Sequence, residues 1–144
     1  MFTYEYPRPA VAVDILAFDN LSSRRKILLI KRGHEPYAGM WAIPGGHIEP
    51  QEDLVVAAVR EFGEETGIKV EADDLYQLGA YGTPGRDPRG DNVSIAFIVN
   101  LGHAVLPNAG DDAAEAQWFP IADLPPLAFD HATVIADALK DRRY

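Results

Sequence analysis

A chain of 144 residues with a formal charge of −9 and no cysteine excludes several protein classes at once. Disulfide scaffolds, thiol catalysis and cysteine-ligated zinc lack the residues to build them, and so acidic a chain makes a poor general surface for nucleic acid. The hydrophobic fraction of 47% and charged fraction of 24% fit a soluble protein of one domain, residues 1–144, able to bury its own core.

The opening "MFTYEYPRPAVAVDILAFD" has no basic start leading into an apolar core, so no secretory signal is expected. No stretch approaches the ~20 apolar residues of a membrane span, so no membrane partner is expected. Absence of cysteine fits a reducing compartment, and a cytoplasmic location is the expectation. "AVAVDILAF" (Ala10–Phe18) predicts a strand, "DNLSSRR" a polar turn, and "KILLIKR" (Lys26–Arg32) a second strand buried on both faces. The two are expected to pair as a hairpin. Gly33–Gly46 reads as a loop anchored by Trp41 and Ile43.

A helix is predicted over about Asp53 to Thr66, with Gly67 as its C-cap. "LYQLGAYG" (Leu75–Gly82) and "NVSIAFIVNL" (Asn92–Leu101) read as strands around the Gly/Pro loop "TPGRDPRGD". An acidic connection then leads to a short strand, "AQWFPI" (Ala116–Ile121). A closing helix over Asp130–Arg143 has Asp130 as its expected N-cap and Lys140, Arg142 and Arg143 at its negative end. Strands with one central and one terminal helix suggest an α/β fold, a mixed sheet between helices.

The central helix carries the chemistry. At about 100° per residue, Leu54, Val55, Ala58, Val59 and Phe62 fill an arc of roughly 140°, with Glu61, Glu64 and Glu65 on an adjoining arc of roughly 100°. The ordinary reading of such glutamates is a solvated charged face. Against it, like charges at this spacing repel, and Glu65 lies at the edge of the apolar stripe, expected to be partly exposed. Arg60 points elsewhere, toward Glu52. A divalent cation relieves the repulsion, and clustered carboxylates suit Mg²⁺ or Mn²⁺ better than zinc. These residues therefore point to a metal-dependent phosphate site.

Gly46, Glu52, Arg60-Glu61, Phe62, Gly63, Glu64-Glu65, Thr66, Gly67 and Ile68, at their spacing, resemble the Nudix box of the Nudix hydrolases. "GMWAIPGGHIEP" and "AQWFP" resemble that family's flanks, so the likeness covers most of the chain. The resemblance implies an α/β/α sandwich with a loop–helix–loop motif and hydrolysis of a nucleoside diphosphate derivative at its pyrophosphate. It implies metal ligation by Glu61, Glu64 and Glu65, with a carbonyl of Gly45 or Gly46, and a supporting salt bridge between Glu52 and Arg60. For the general base it leaves Glu64, or a later acid among Asp111, Asp112 and Glu115, of which Glu115 is preferred for its place beside the Trp118 strand.

Pro84 stands sixteen positions past Ile68, a spacing that resembles ADP-ribose pyrophosphatases of the family, as does the tract "TPGRDPRG". Cleavage of ADP-ribose to AMP and ribose 5-phosphate is therefore the leading expectation. The alternatives are an oxidised nucleoside triphosphate, a dinucleoside polyphosphate or NADH as substrate, or a sensor that binds ADP-ribose without cleaving it. Arg86 or Arg89 would bind phosphate or pair locally with Asp87 or Asp91, and Arg32 is a further phosphate candidate. Phe2, Tyr4, Tyr6, Tyr37 and Tyr81 are the aromatics available for adenine. The Phe2–Tyr6 cluster would cover the site or a neighbouring subunit of a homodimer. His34, His47, His103 and His131 show no metal-like spacing and read as structural or solvent-facing.

Overall fold

The computed structural model describes residues 3–20, 24–102, 105–107 and 113–141. Among these residues, seven strands form one sheet: β1 (Ala10–Asp19), β2 (Lys26–Arg32), β3 (Trp41–Ala42), β4 (Gly45–His47), β5 (Tyr76–Tyr81), β6 (Asn92–Asn100) and β7 (Ala113–Pro120). Two helices pack on it, α1 (Leu54–Thr66) and α2 (His131–Lys140). The path β3-β2-β1-β6-β5 is mixed, because β1 and β6 run parallel over nine residue pairs while β1–β2 and β5–β6 are antiparallel.

Side-chain alternation along β1 divides the core into two layers. Val13, Ile15 and Ala17 pack with Ala57, Ala58 and Phe62 of α1, whereas Leu16 and Phe18 pack with Val134, Ile135 and Ala138 of α2. β2 alternates in the same way, Leu28 toward the first layer and Ile27 and Leu29 toward the second. The result is an α/β/α sandwich. Phe62 is fully buried at the centre of the α1 layer, where truncation to Ala costs about 3–5 kcal/mol.

Both ends of α1 match their residue chemistry. Asp53 caps the start by accepting the Val55 N–H at 3.1 Å, and Gly67 closes the helix at φ 71° with its N–H bonded to the Gly63 carbonyl. The buried face differs from the wheel at two points: Ala57 is fully buried, and Glu65 is only 6% exposed rather than partly open.

Three other expectations change. The stretch Gly33–Gly46 is not all loop, because Trp41–Ala42 pairs with β2 and β4 pairs with β1. Backbone pairing there overrides the poor strand propensity of two glycines. β7 begins at Ala113, before the predicted Ala116, continuing along β2 past a bulge at Lys31/Arg32. Asp130 occupies the N-cap position of α2 but makes no side-chain capping bond. Its carboxylate is held instead by Arg86. Arg142 and Arg143 lie outside the described residues.

One irregularity of the sheet positions the site. β1 and β2 pair only at Phe18/Ile27 and Asp19/Lys26. Toward its start, β1 is paired instead by β4, at Ala12/His47, Val13/Gly46 and Asp14/Gly45.

Candidate active site

Where β1 and β2 diverge, a cavity of about 310 Å³ opens. Its walls come from β1 (Ala12, Asp14), the end of β2 (Ile30, Arg32), β4 (Gly45, Gly46, His47), α1 (Glu61, Glu65) and the entry to α2 (Phe129, His131).

The α1 wall is acidic. Gly45 donates its N–H to Glu65 Oε1 at 2.7 Å. A Cβ at Gly45 would collide with the Val13 carbonyl and the Asp14 side chain, and one at Gly46 would collide with the Glu61 carboxylate. Glycine at 46 therefore lets β4 lie directly against the Glu61 carboxylate, and glycine at 45 lets it lie close against β1.

Arg60 organises the outer side of this wall. Its Nε and Nη2 bond the two Glu52 oxygens at 2.7 and 2.8 Å, a bidentate fork. The Arg60 hydrogen bond, with a further one from the Glu49 backbone, holds the Glu52 carboxyl down at about 2. Beyond the sequence expectation, Nη1 also reaches Glu61 at 2.8 Å and Glu64 at 3.3 Å. The planar guanidinium has donors left once Glu52 is bound, and they relieve the crowding of the box glutamates.

The opposite wall is cationic. Arg32 bonds the Pro36 carbonyl through Nε at 2.7 Å and has no carboxylate partner among the described residues. Burial, then the neighbouring Arg89, lowers the pKa of its guanidinium. Both arginines lie over the Phe129 ring, at 4.9 Å for Arg32 and 5.8 Å for Arg89. Arg89 is clamped by Asp87 at 2.7 and 3.0 Å, and that clamp holds the Asp87 carboxyl at about 2. Phe129 has φ 54°, a left-handed conformation that costs about 1–2 kcal/mol for a bulky residue. Tyr37 and His131 pack against its ring.

Between the walls runs a buried polar chain. Arg86 grips Asp130 through two bonds of 2.7 and 2.9 Å and donates to Ser94 Oγ at 2.9 Å. The Ser94 hydroxyl lies near enough to Asp14 to favour its ionised form. Asp14 Oδ2 has no hydrogen-bond partner among the described residues. Burial pushes the Asp14 carboxyl up to about 7, against the opposing effects of Arg86 and Ser94. His131 accepts the Ile43 N–H at Nδ1, 3.0 Å away. Burial holds its pKa near 4, so the ring is neutral with its proton on Nε2.

Of the residues selected from sequence, Gly45, Gly46, Glu61, Glu65, Arg32, Arg86 and Arg89 line the cavity. Arg86 does so with its donors committed to Asp130 and Ser94, not to Asp87 or Asp91. Glu64 is absent from the wall and its side chain is 56% exposed. Glu115 is exposed on β7 opposite Lys31, and Pro84 sits in an exposed turn. The Tyr81 hydroxyl donates to Asp137 at 2.9 Å, and Tyr4 and Tyr6 are exposed. Phe2, His103, Asp111 and Asp112 lie outside the described residues. The histidines at 34, 47 and 131 all reach the cavity. The sequence reading passed over Asp14, Ser94, Phe129 and Asp130 as site residues. Asp14 did leave a signal, as a lone carboxylate within an apolar strand.

A family model described as the NUDIX domain matches residues 8–138. The chain belongs to the NUDIX family. The Methanocaldococcus jannaschii protein named ADP-ribose pyrophosphatase is 48% identical over 136 residues, covering 94% of this chain and 76% of that protein. Among solved structures, the NUDIX domain of Shewanella oneidensis NrtR complexed with ADP ribose superposes with a TM-score of 0.86 at 28% identity, covering 94% of this chain and 89% of that one. A bifunctional NMN adenylyltransferase/ADP ribose pyrophosphatase from Francisella tularensis, complexed with AMP and a Mn ion, gives 0.82 at 28% identity. This chain spans 43% of that longer protein and is itself covered to 95%.

The Nudix box thus forms the acidic wall, with its loop as β4 and its helix as α1. No group of three or more His, Asp or Glu side chains among the described residues is gathered closely enough to hold a metal ion. The donor chemistry nevertheless fits a hard cation, since Glu61 and Glu65 present carboxylates at the cavity and Gly46 leaves the space beside Glu61 open to backbone. No helix among the described residues is long and apolar enough to cross a membrane.

Proposed function

We propose that this Nudix hydrolase cleaves ADP-ribose at its pyrophosphate, giving AMP and ribose 5-phosphate, with Mg²⁺ or Mn²⁺ as cofactor. The observation that carries the reading is the polarity of the cavity, with two carboxylates on one wall and two guanidiniums on the other. A diphosphate suits that arrangement, its oxygens meeting arginine directly and carboxylate through a cation. The names of the Methanocaldococcus, Shewanella and Francisella proteins support ADP-ribose as the diphosphate.

In this reading Glu61 and Glu65 hold the cation, with Glu64 from the same helical turn. When bound, the cation supplies charge neutralisation at the phosphoryl oxygens and a water of lowered pKa. Arg32 and Arg89 bind and orient the diphosphate. Arg60, anchored by Glu52, fixes the orientation of Glu61. Of the base candidates among the described residues, Glu64 is favoured over Glu115, because it shares the helix face of the metal carboxylates. A panel comparing ADP-ribose with an oxidised nucleoside triphosphate, a dinucleoside polyphosphate and NADH tests the substrate, and efficient turnover of one of the others alone contradicts it.

A second reading, binding of ADP-ribose without cleavage, is favoured by Arg60 occupying Glu61 and Glu64. Saturable binding with no turnover in the presence of Mg²⁺ would select it.

A further inference from the structure

We propose that Asp14 and His131 form a subsite for a ribose hydroxyl of the substrate and set selectivity for it. The inference rests on the ADP-ribose reading and assigns two residues that the box does not contain.

Both side chains line the cavity on the α2 side of the sheet, and the residues are only 6% and 5% exposed. Asp14 belongs to the even-numbered face of β1, which with Leu16 and Phe18 points toward α2, away from the Glu61 and Glu65 layer. Asp14 carries a buried oxygen without a partner among the described residues, and His131 has one nitrogen fixed by backbone and one without a protein acceptor. Asp14 lies beside Ser94, which Arg86 holds, and its Oδ2 accepts no hydrogen bond among the described residues. His131 is oriented by the Ile43 N–H on Nδ1, which leaves Nε2–H without a protein acceptor. A buried polar atom without a partner is costly, so Asp14 Oδ2 calls for a ligand, and the His131 Nε2–H offers a donor in the same cavity.

The pair consists of one acceptor and one neutral donor. A hydroxyl both donates and accepts, and so satisfies both. A phosphoryl oxygen could use only His131 when Asp14 is ionised, and would then be repelled by it. A nucleobase edge could also supply both partners, but a base needs a stacking face. Among the described residues, the aromatic side chain at the cavity besides the histidines is Phe129, and its ring already carries Arg32 and the edge contact of Tyr37. The chemistry is therefore that of a sugar hydroxyl, on either the terminal or the adenosine ribose.

The test compares kcat/KM for ADP-ribose, its analogue deoxygenated at the 2-position of the terminal ribose, and its analogue deoxygenated at the adenosine ribose. The wild type is expected to reject one analogue by at least about tenfold, since a site built to bond a hydroxyl leaves its own groups unpaired without it. Asp14→Asn and His131→Gln, each checked for folding by thermal melting, are expected to reduce that preference to within about threefold. Wild-type turnover of both analogues as fast as ADP-ribose overturns the subsite without any variant. Folded variants that retain the wild-type ratios overturn it too, as does a change confined to the ratio between ADP-ribose and its inosine counterpart. Absence of ADP-ribose turnover by the wild type overturns the proposed function and this subsite with it. Turnover with unchanged ratios overturns the subsite alone.

Discussion

Gly45 and Glu65, twenty positions apart, meet through one 2.7 Å hydrogen bond from backbone N–H to carboxylate. That bond joins the sheet edge to the last turn of α1 and fixes where the box carboxylates stand relative to the cavity. It also fixes Glu65 in a buried position, where an unsatisfied carboxylate would be costly.

The two glycines of β4 are expected to respond differently to a methyl group. In Gly46→Ala the Cβ meets the end of the Glu61 side chain, which can swing aside, whereas in Gly45→Ala it meets the Val13 carbonyl, which cannot. Gly46→Ala should therefore fold normally and lose at least about tenfold in kcat/KM. Gly45→Ala should lose about 1–3 kcal/mol of stability. Denaturant titration alongside kinetics separates the two outcomes.

Substituting the cavity carboxylates should raise the metal requirement before it disturbs the fold. Glu61→Gln and Glu65→Gln keep the side-chain shape and remove charge, so each should shift the Mg²⁺ activation curve to at least about tenfold higher concentration. Metal titrations of activity, with circular dichroism as the folding control, check this. An unchanged activation curve in both variants would remove these residues from the metal site.

The sequence made the box legible because its chemistry is local: one helix, its caps and the glycines before it. The two-layer core was legible from the apolar strands for a similar reason. The cationic wall and the buried chain were not, because they depend on pairings at long range. Arg86 has Asp87 and Asp91 close by in sequence and binds Asp130, 44 positions away. Phe129 gave no sequence sign of its left-handed backbone. His131 looked structural, and its bond to Ile43 is indeed a packing contact across 88 positions. That same bond turns its other nitrogen into a fixed donor.

The Arg60–Glu52 fork should govern acid stability. Folded Glu52 titrates at about 2 against an ordinary value of 4.5, so its contribution is fully present above pH 4.5 and is lost as pH falls through 2. Arg60→Gln removes the cause of the shift. The acid-unfolding midpoint should move to higher pH, with little change in slope above pH 6. An unchanged midpoint would show that the fork contributes nothing to stability.

His131 should produce a second pH dependence at milder acidity. Its pKa falls from 6.5 to about 4 on burial, so the unfolded chain takes up the proton first. Stability from this group is complete above pH 6.5 and declines toward pH 4, by roughly 3 kcal/mol in all. Urea titrations at pH 7 and pH 4.5 should show a smaller difference for His131→Gln than for the wild type.

The most direct measurement incubates the purified protein with ADP-ribose and Mg²⁺ or Mn²⁺ and resolves the products. Equal amounts of AMP and ribose 5-phosphate, abolished by a chelator and restored by excess metal, are the predicted result. No cleavage of ADP-ribose with either metal, alongside efficient hydrolysis of another nucleotide, would contradict it.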